Sequence, residues 1–87
     1  MPDDDWTPIR VLGTYTRSSP EGTLIETYHD GYQVNETGAF IWSLVGSGSS
    51  VCDIAAEVTR RYGVDPVRGL DAVRAFLSQL RDRGFIE

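Results

Sequence analysis

The chain has 87 residues, enough for one domain with a single sheet layer against a helix layer, and too few for an enclosed catalytic chamber. Thirteen acidic residues against eight arginines, with no lysine, give a net charge of −5, which argues against a surface built to hold nucleic-acid phosphates. One cysteine, Cys52, excludes an intrachain disulfide, and with one histidine, His29, a protein-only zinc site would need carboxylates or a second chain.

In chain order, residues 1–6, with Asp3-Asp4-Asp5, read as a flexible acidic tail, and residues 7–87 as one domain. The acid-rich beginning is unlike a secretion signal, and no apolar run approaches the ~18 residues of a membrane span, so a soluble, cytoplasmic protein without membrane partners is expected. Residues 9–17 suggest a first strand, bulged at Gly13. Residues 18–22 have turn composition, and 23–28 are rich in β-branched and aromatic residues, as strands are. His29-Asp30-Gly31 is a tight-turn sequence, and residues 32–34 make a short third strand.

At Asn35 the pattern changes period. Asn35 is a candidate N-cap for a helix over 36–45, with the apolar run Ala39-Phe40-Ile41-Trp42 inside it. After the Gly/Ser joint of residues 46–50, Ser50 and Asp53 have the spacing of a capping box. Val51, Ile54, Ala55, Val58 and Tyr62 then form an apolar stripe, and Gly63 closes that helix. Asp65-Pro66 starts the next, which Gly69 is expected to divide into a turn and a main helix over 70–83. Gly84 ends it, and Phe85-Ile86 can fold back on the core. The expected fold is α+β, a winged helix-turn-helix-like arrangement with a three-stranded antiparallel sheet followed by three helices.

No Ser/His/Asp or Cys/His set, phosphate loop or metal-ligand spacing is visible, so neither an enzyme nor a cofactor is expected. Phe40 and Trp42 read as core, and Cys52 as a small buried filler. Tyr32 either packs beneath the helices or lines a cleft.

The segment Tyr32-x-Val34-Asn35-x-x-Gly38-Ala39-x-Ile41-Trp42 resembles the signature of PqqD-like proteins, the recognition elements for ribosomally made, modified peptides. The helix with Ile54-Ala55 and Tyr62 adds to the likeness, as does the ending Val73-x-x-Phe76-Leu77-x-x-Leu80-x-x-x-Gly84-Phe85-Ile86. The resemblance covers roughly residues 23–87, and a free-standing copy is most similar to the leader-binding protein of split lasso-peptide systems. Two departures stand out: Val34, where the family more often has Leu, and the Gly46-Ser47-Gly48-Ser49 joint.

The resemblance implies a non-catalytic adaptor that binds the leader of a precursor peptide and delivers it to a cysteine leader peptidase, with an ATP-dependent cyclase acting later. Physically, an extended peptide can complete the open edge of the third strand. The expected peptide-binding residues are Tyr28, Gly31, Tyr32, Gln33 and Val34, facing Leu70, Val73, Arg74, Leu77 and Arg81 of the last helix, whose arginines suit acidic side chains. Arg74 and Arg81 have a second reading as surface partners of Asp71 and Asp82. The alternative function is a winged-helix DNA-binding module, with Arg60, Arg61 and Arg68 around a helix-turn-helix.

Overall fold

Turn chemistry shapes the first half of the chain. In the computed structural model, which describes residues 6–87, three antiparallel strands form one sheet in the order β1 (Tyr15–Ser19), β2 (Gly22–Glu26), β3 (Gly31–Val34). Ser19 pairs with Gly22 across a two-residue hairpin. Gly22 has φ +129°, and a Cβ there would come within 3.0 Å of the Val34 carbonyl oxygen, so glycine is needed for conformation and for space. The next turn is held by Thr27, whose Oγ1 accepts the N–H groups of His29 (3.3 Å) and Asp30 (3.2 Å). The register sets Ile25 opposite Tyr32 and Thr23 opposite Val34. Ile25 and Val34 are buried against the helices, so Tyr32 also points to that face.

Three helices follow: α1 (Glu36–Leu44), α2 (Val51–Tyr62) and α3 (Pro66–Asp82). Each start has a side-chain cap. Asn35 Oδ1 accepts Gly38 N–H at 2.8 Å, and Asp65 Oδ1 accepts Val67 N–H at 2.8 Å. Ser50 and Asp53 form the reciprocal capping box. The core gathers Ile41, Trp42 and Val45 from α1, Ile54 and Val58 from α2, and Val73, Leu77 and Leu80 from α3. Trp42 fastens β1 to this layer by donating its indole N–H to Thr16 Oγ1 at 2.7 Å. Arg10 lies over the Trp42 ring and donates to its carbonyl at 2.7 Å, and partial burial lowers its pKa.

The sheet-then-helices order is as expected, but several details differ. The strand expected over 9–17 is broken by a turn at Leu12-Gly13, where Gly13 has φ +90°. Its first part pairs instead with the C-terminal segment: Ile9 exchanges backbone hydrogen bonds with Glu87, and Val11 N–H donates to the Phe85 carbonyl. Gly84, at φ +83°, makes the reversal that brings that segment back. α3 also runs unbroken through Gly69. A Cβ there would lie 2.5 Å from Thr59 Oγ1 of α2, so the glycine serves close helix approach rather than a break.

α1 stops at Leu44, because Val45 is already extended and Gly46 takes φ +90°. Cys52 is exposed, not a buried filler. Of the tail expected over 1–6, residues 1–5 lie outside the described residues. Trp6 packs against the core, and its carbonyl accepts Val51 N–H at 2.8 Å. No helix among the described residues is long and apolar enough to cross a membrane.

Candidate functional site

β3 lies at one margin of the sheet, so hydrogen bonding decides which groups it offers outward. Thr27 N–H donates to the Asp30 carbonyl at 2.8 Å and closes the β2–β3 hairpin. Paired positions recur at every second residue of an antiparallel ladder, hence at Ile25–Tyr32 and Thr23–Val34. Gly31 and Gln33 therefore turn their backbone groups to the open edge. The Gly31 end is partly occupied. Its N–H donates to Asp30 Oδ1 at 2.8 Å, and its carbonyl accepts from Arg83 Nη1 at 3.4 Å. Gln33 is the open slot, with its own side-chain amide tied back to the Glu21 carbonyl at 2.6 Å.

The edge runs beside α3, and their backbones make little direct contact. Tyr32 spans the gap. Its hydroxyl donates to Gln79 Oε1 at 2.6 Å, and its ring stacks on Phe76 and Phe85 with centroids 6.3 and 6.4 Å apart. The Arg83 guanidinium sits 4.4 Å from the Tyr32 centroid, and Arg83 also pairs with Asp30 at 3.4 Å. Gly38 closes the floor: a Cβ on it would meet Val34 Cβ at 3.0 Å and the Phe76 ring at 3.2 Å. The result is an open strand edge beside a helix flank, with aromatic rings filling the space between them.

The flank consists of Arg68, Ala72, Phe76, Gln79 and Arg83, which fall on one side of α3 at helical spacing. From Arg68 to Arg83 the rise is roughly 22 Å at 1.5 Å per residue. That equals about six or seven residues of extended chain. The arrangement suits capture of an extended peptide: backbone groups to pair, apolar rings to cover, cations at the ends. Among the described residues no group of three His, Cys, Asp or Glu side chains could hold a metal ion.

Tyr32 and Val34 face the helices, while Gly31 and Gln33 open outward. Tyr28 is 93% exposed at the hairpin tip, with its ring edge-on to His29 at 5.0 Å. The α3 residues expected opposite β3 are elsewhere. Val73 and Leu77 are 0% and 1% exposed, inside the core and out of reach of a ligand. Leu70 borders a shallow apolar groove between α2 and α3 with Ala55, Ala56 and Thr59. Arg74 and Arg81 line a small cavity with Trp6, Val51 and Leu77. Arg81 lies 5.6 Å from the Trp6 ring centroid, and Arg74 is 3.9 Å from Asp71.

The expected cleft between residues 31–34 and the 70–81 stripe therefore does not form. The reason is rotational: with Val73, Leu77 and Leu80 centred on the core, positions 70, 74 and 81 fall roughly 60–100° to one side and 76, 79 and 83 roughly 60–120° to the other. The first flank turns to α2 and the N-terminal segment, the second to β3. Gln79 and Arg83 had no part in the sequence reading of the site. Their signal was the polar shoulder at helical spacing on the far side of Phe76. Of the arginines considered for DNA contact, Arg60 pairs with Glu57, and Arg61 sits 4.7 Å from the Phe40 ring centroid.

The family described as Coenzyme PQQ synthesis protein D (PqqD) matches residues 19–86. No curated protein sequence matches. Among solved structures, one described as "Lasso peptide synthetase B1 complexed with the leader peptide" superposes with a TM-score of 0.83 at 19% identity, covering 93% of this chain and 98% of that one. A second, "TbiB1 in Complex with the TbiA(beta) Leader Peptide", gives a TM-score of 0.81 at 18% identity, covering 91% and 94%. At such identities the structures speak for a shared fold, and the sequence match supplies the kinship: the chain belongs to the PqqD family.

Proposed function

We propose that the protein is a non-catalytic cytoplasmic adaptor that binds the leader region of a ribosomally made precursor peptide. The leader adds as a fourth strand to β3, pairing with Gln33, while its side chains cover Tyr32 and Phe76. The observation that carries this reading is the outward-facing Gln33 backbone beside a helix flank bridged by Tyr32. The two similar structures, each a leader-peptide complex, support it. In lasso-peptide biosynthesis the adaptor would present the bound leader to a cysteine leader peptidase, before an ATP-dependent cyclase acts.

The test is a titration of the labelled leader encoded beside this gene, followed by fluorescence anisotropy. Saturable binding is expected, together with faster leader cleavage when the peptidase and the adaptor are combined. Absence of binding by a folded sample overturns the adaptor role. Binding without any effect on cleavage overturns only the presentation step.

A further inference from the structure

The two cationic ends of the α3 flank differ. At the hairpin end Arg83 is engaged by Asp30, the Gly31 carbonyl and the Tyr32 ring. At the other end Arg68 has no ion pair or hydrogen bond among the described residues, and its side chain borders a concavity shared with Thr37, Val58, Tyr62, Val64 and Ala72. The Tyr62 ring forms part of its wall, with its hydroxyl buried. Of the two acids three residues away, Asp65 caps Val67 N–H and Asp71 lies 3.9 Å from Arg74.

The concavity lies toward the Val34 end of β3. Thr37 is two residues past Asn35, the cap that directly follows β3, and Ala72 is one helical turn from Phe76, which touches the Gly38 position beside Val34. A peptide paired with β3 and extended past Val34 meets this corner.

We infer that the Arg68 corner is a subsite for an acidic side chain of the bound peptide, placed about four residues beyond the part paired with Gln33. The inference rests on the strand-addition reading. Val58, Tyr62, Val64 and Ala72 supply an apolar wall for the methylenes of a glutamate, and Arg68 pairs with its carboxylate. Because Arg83 is already engaged by Asp30, only one end of the flank is free to take a carboxylate, which fixes the direction and register of the peptide.

The experiment is selection of displayed random twelve-residue peptides on the wild type, Arg68→Glu, Arg68→Gln and Gln33→Pro proteins. Circular dichroism confirms that each is folded. The wild type should enrich peptides with an acidic residue at a fixed distance from an apolar anchor. Arg68→Gln should lose that acidic preference, and Arg68→Glu should replace it with a basic one. For single enriched peptides, Glu→Gln should weaken wild-type binding about two- to fivefold, the range for one exposed ion pair. Peptides that depend on Gln33 but show no acidic preference, or one unmoved by Arg68 substitution, overturn the subsite and leave strand addition standing. Enrichment unaffected by Gln33→Pro, or none at all, overturns strand addition and the subsite with it.

Discussion

The sheet has two open margins, and only one has what peptide capture requires. By the same alternation that opens Gln33 on β3, the Ser19–Gly22 hairpin leaves Thr16 and Ser18 facing outward on β1. β1 is the more exposed strand: Tyr15, Arg17 and Ser18 face solvent, and the Trp42 indole on Thr16 is its tie to the helix layer. β3 is shorter but borders α3, with Tyr32, Phe76 and Phe85 forming an aromatic floor. An exposed strand edge gives affinity without selectivity, whereas an edge beside a side-chain wall gives both. Binding therefore follows from what stands beside a strand more than from how open it is.

The largest way to disturb this contrast is to remove the floor. Phe85 is 0% exposed, and Phe85→Ala should lower stability by about 3–5 kcal/mol, read as a shift of the urea midpoint. Leader binding should fall with it, since Tyr32 loses a stacking partner. Next in size is blocking each edge separately. Gln33→Pro removes the outward N–H with no loss to the β2 ladder and should weaken leader binding about tenfold, or about 1.4 kcal/mol. Ser18→Pro, the same change on β1, should leave binding unaltered, and an equal loss in both variants would erase the distinction between the edges.

A smaller effect is expected from Tyr32→Phe. It removes the 2.6 Å hydrogen bond to Gln79 and should cost about 0.5–1 kcal/mol in thermal or chemical unfolding, with the stacked ring retained. Smallest of all is Arg74→Glu, on the α3 flank turned away from β3. Leader affinity should be unchanged there, and a marked loss would relocate the binding face.

Local chemistry in the sequence accounts for most of the fold. Asn35, Ser50 with Asp53, and Asp65-Pro66 mark the three helix starts, since each cap is satisfied by atoms within three residues. What escaped was non-local. Nothing near residues 9–11 shows that they pair with residues 85–87, because that contact joins the two ends of the chain. Gly69 resembles a helix breaker until α2 is seen pressing Thr59 against it.

The candidate site divides in the same way. Residues 31–34 could be located from the strand-to-helix change at Asn35. The facing flank depended on the rotation of α3, and a rotation of roughly 180°, half a turn, exchanges Arg74 and Arg81 for Gln79 and Arg83. Apolar periodicity defines the buried stripe but leaves open which shoulder meets which neighbour.

In the proposed complex the leader adds to β3 and not to β1. Residue-resolved amide hydrogen exchange, measured with and without saturating leader peptide, tests it directly. Strand addition predicts that the Gln33 amide becomes protected while those of Thr16 and Ser18 exchange as before. Protection at Thr16 and Ser18, or an unchanged Gln33 amide in the saturated complex, would contradict it.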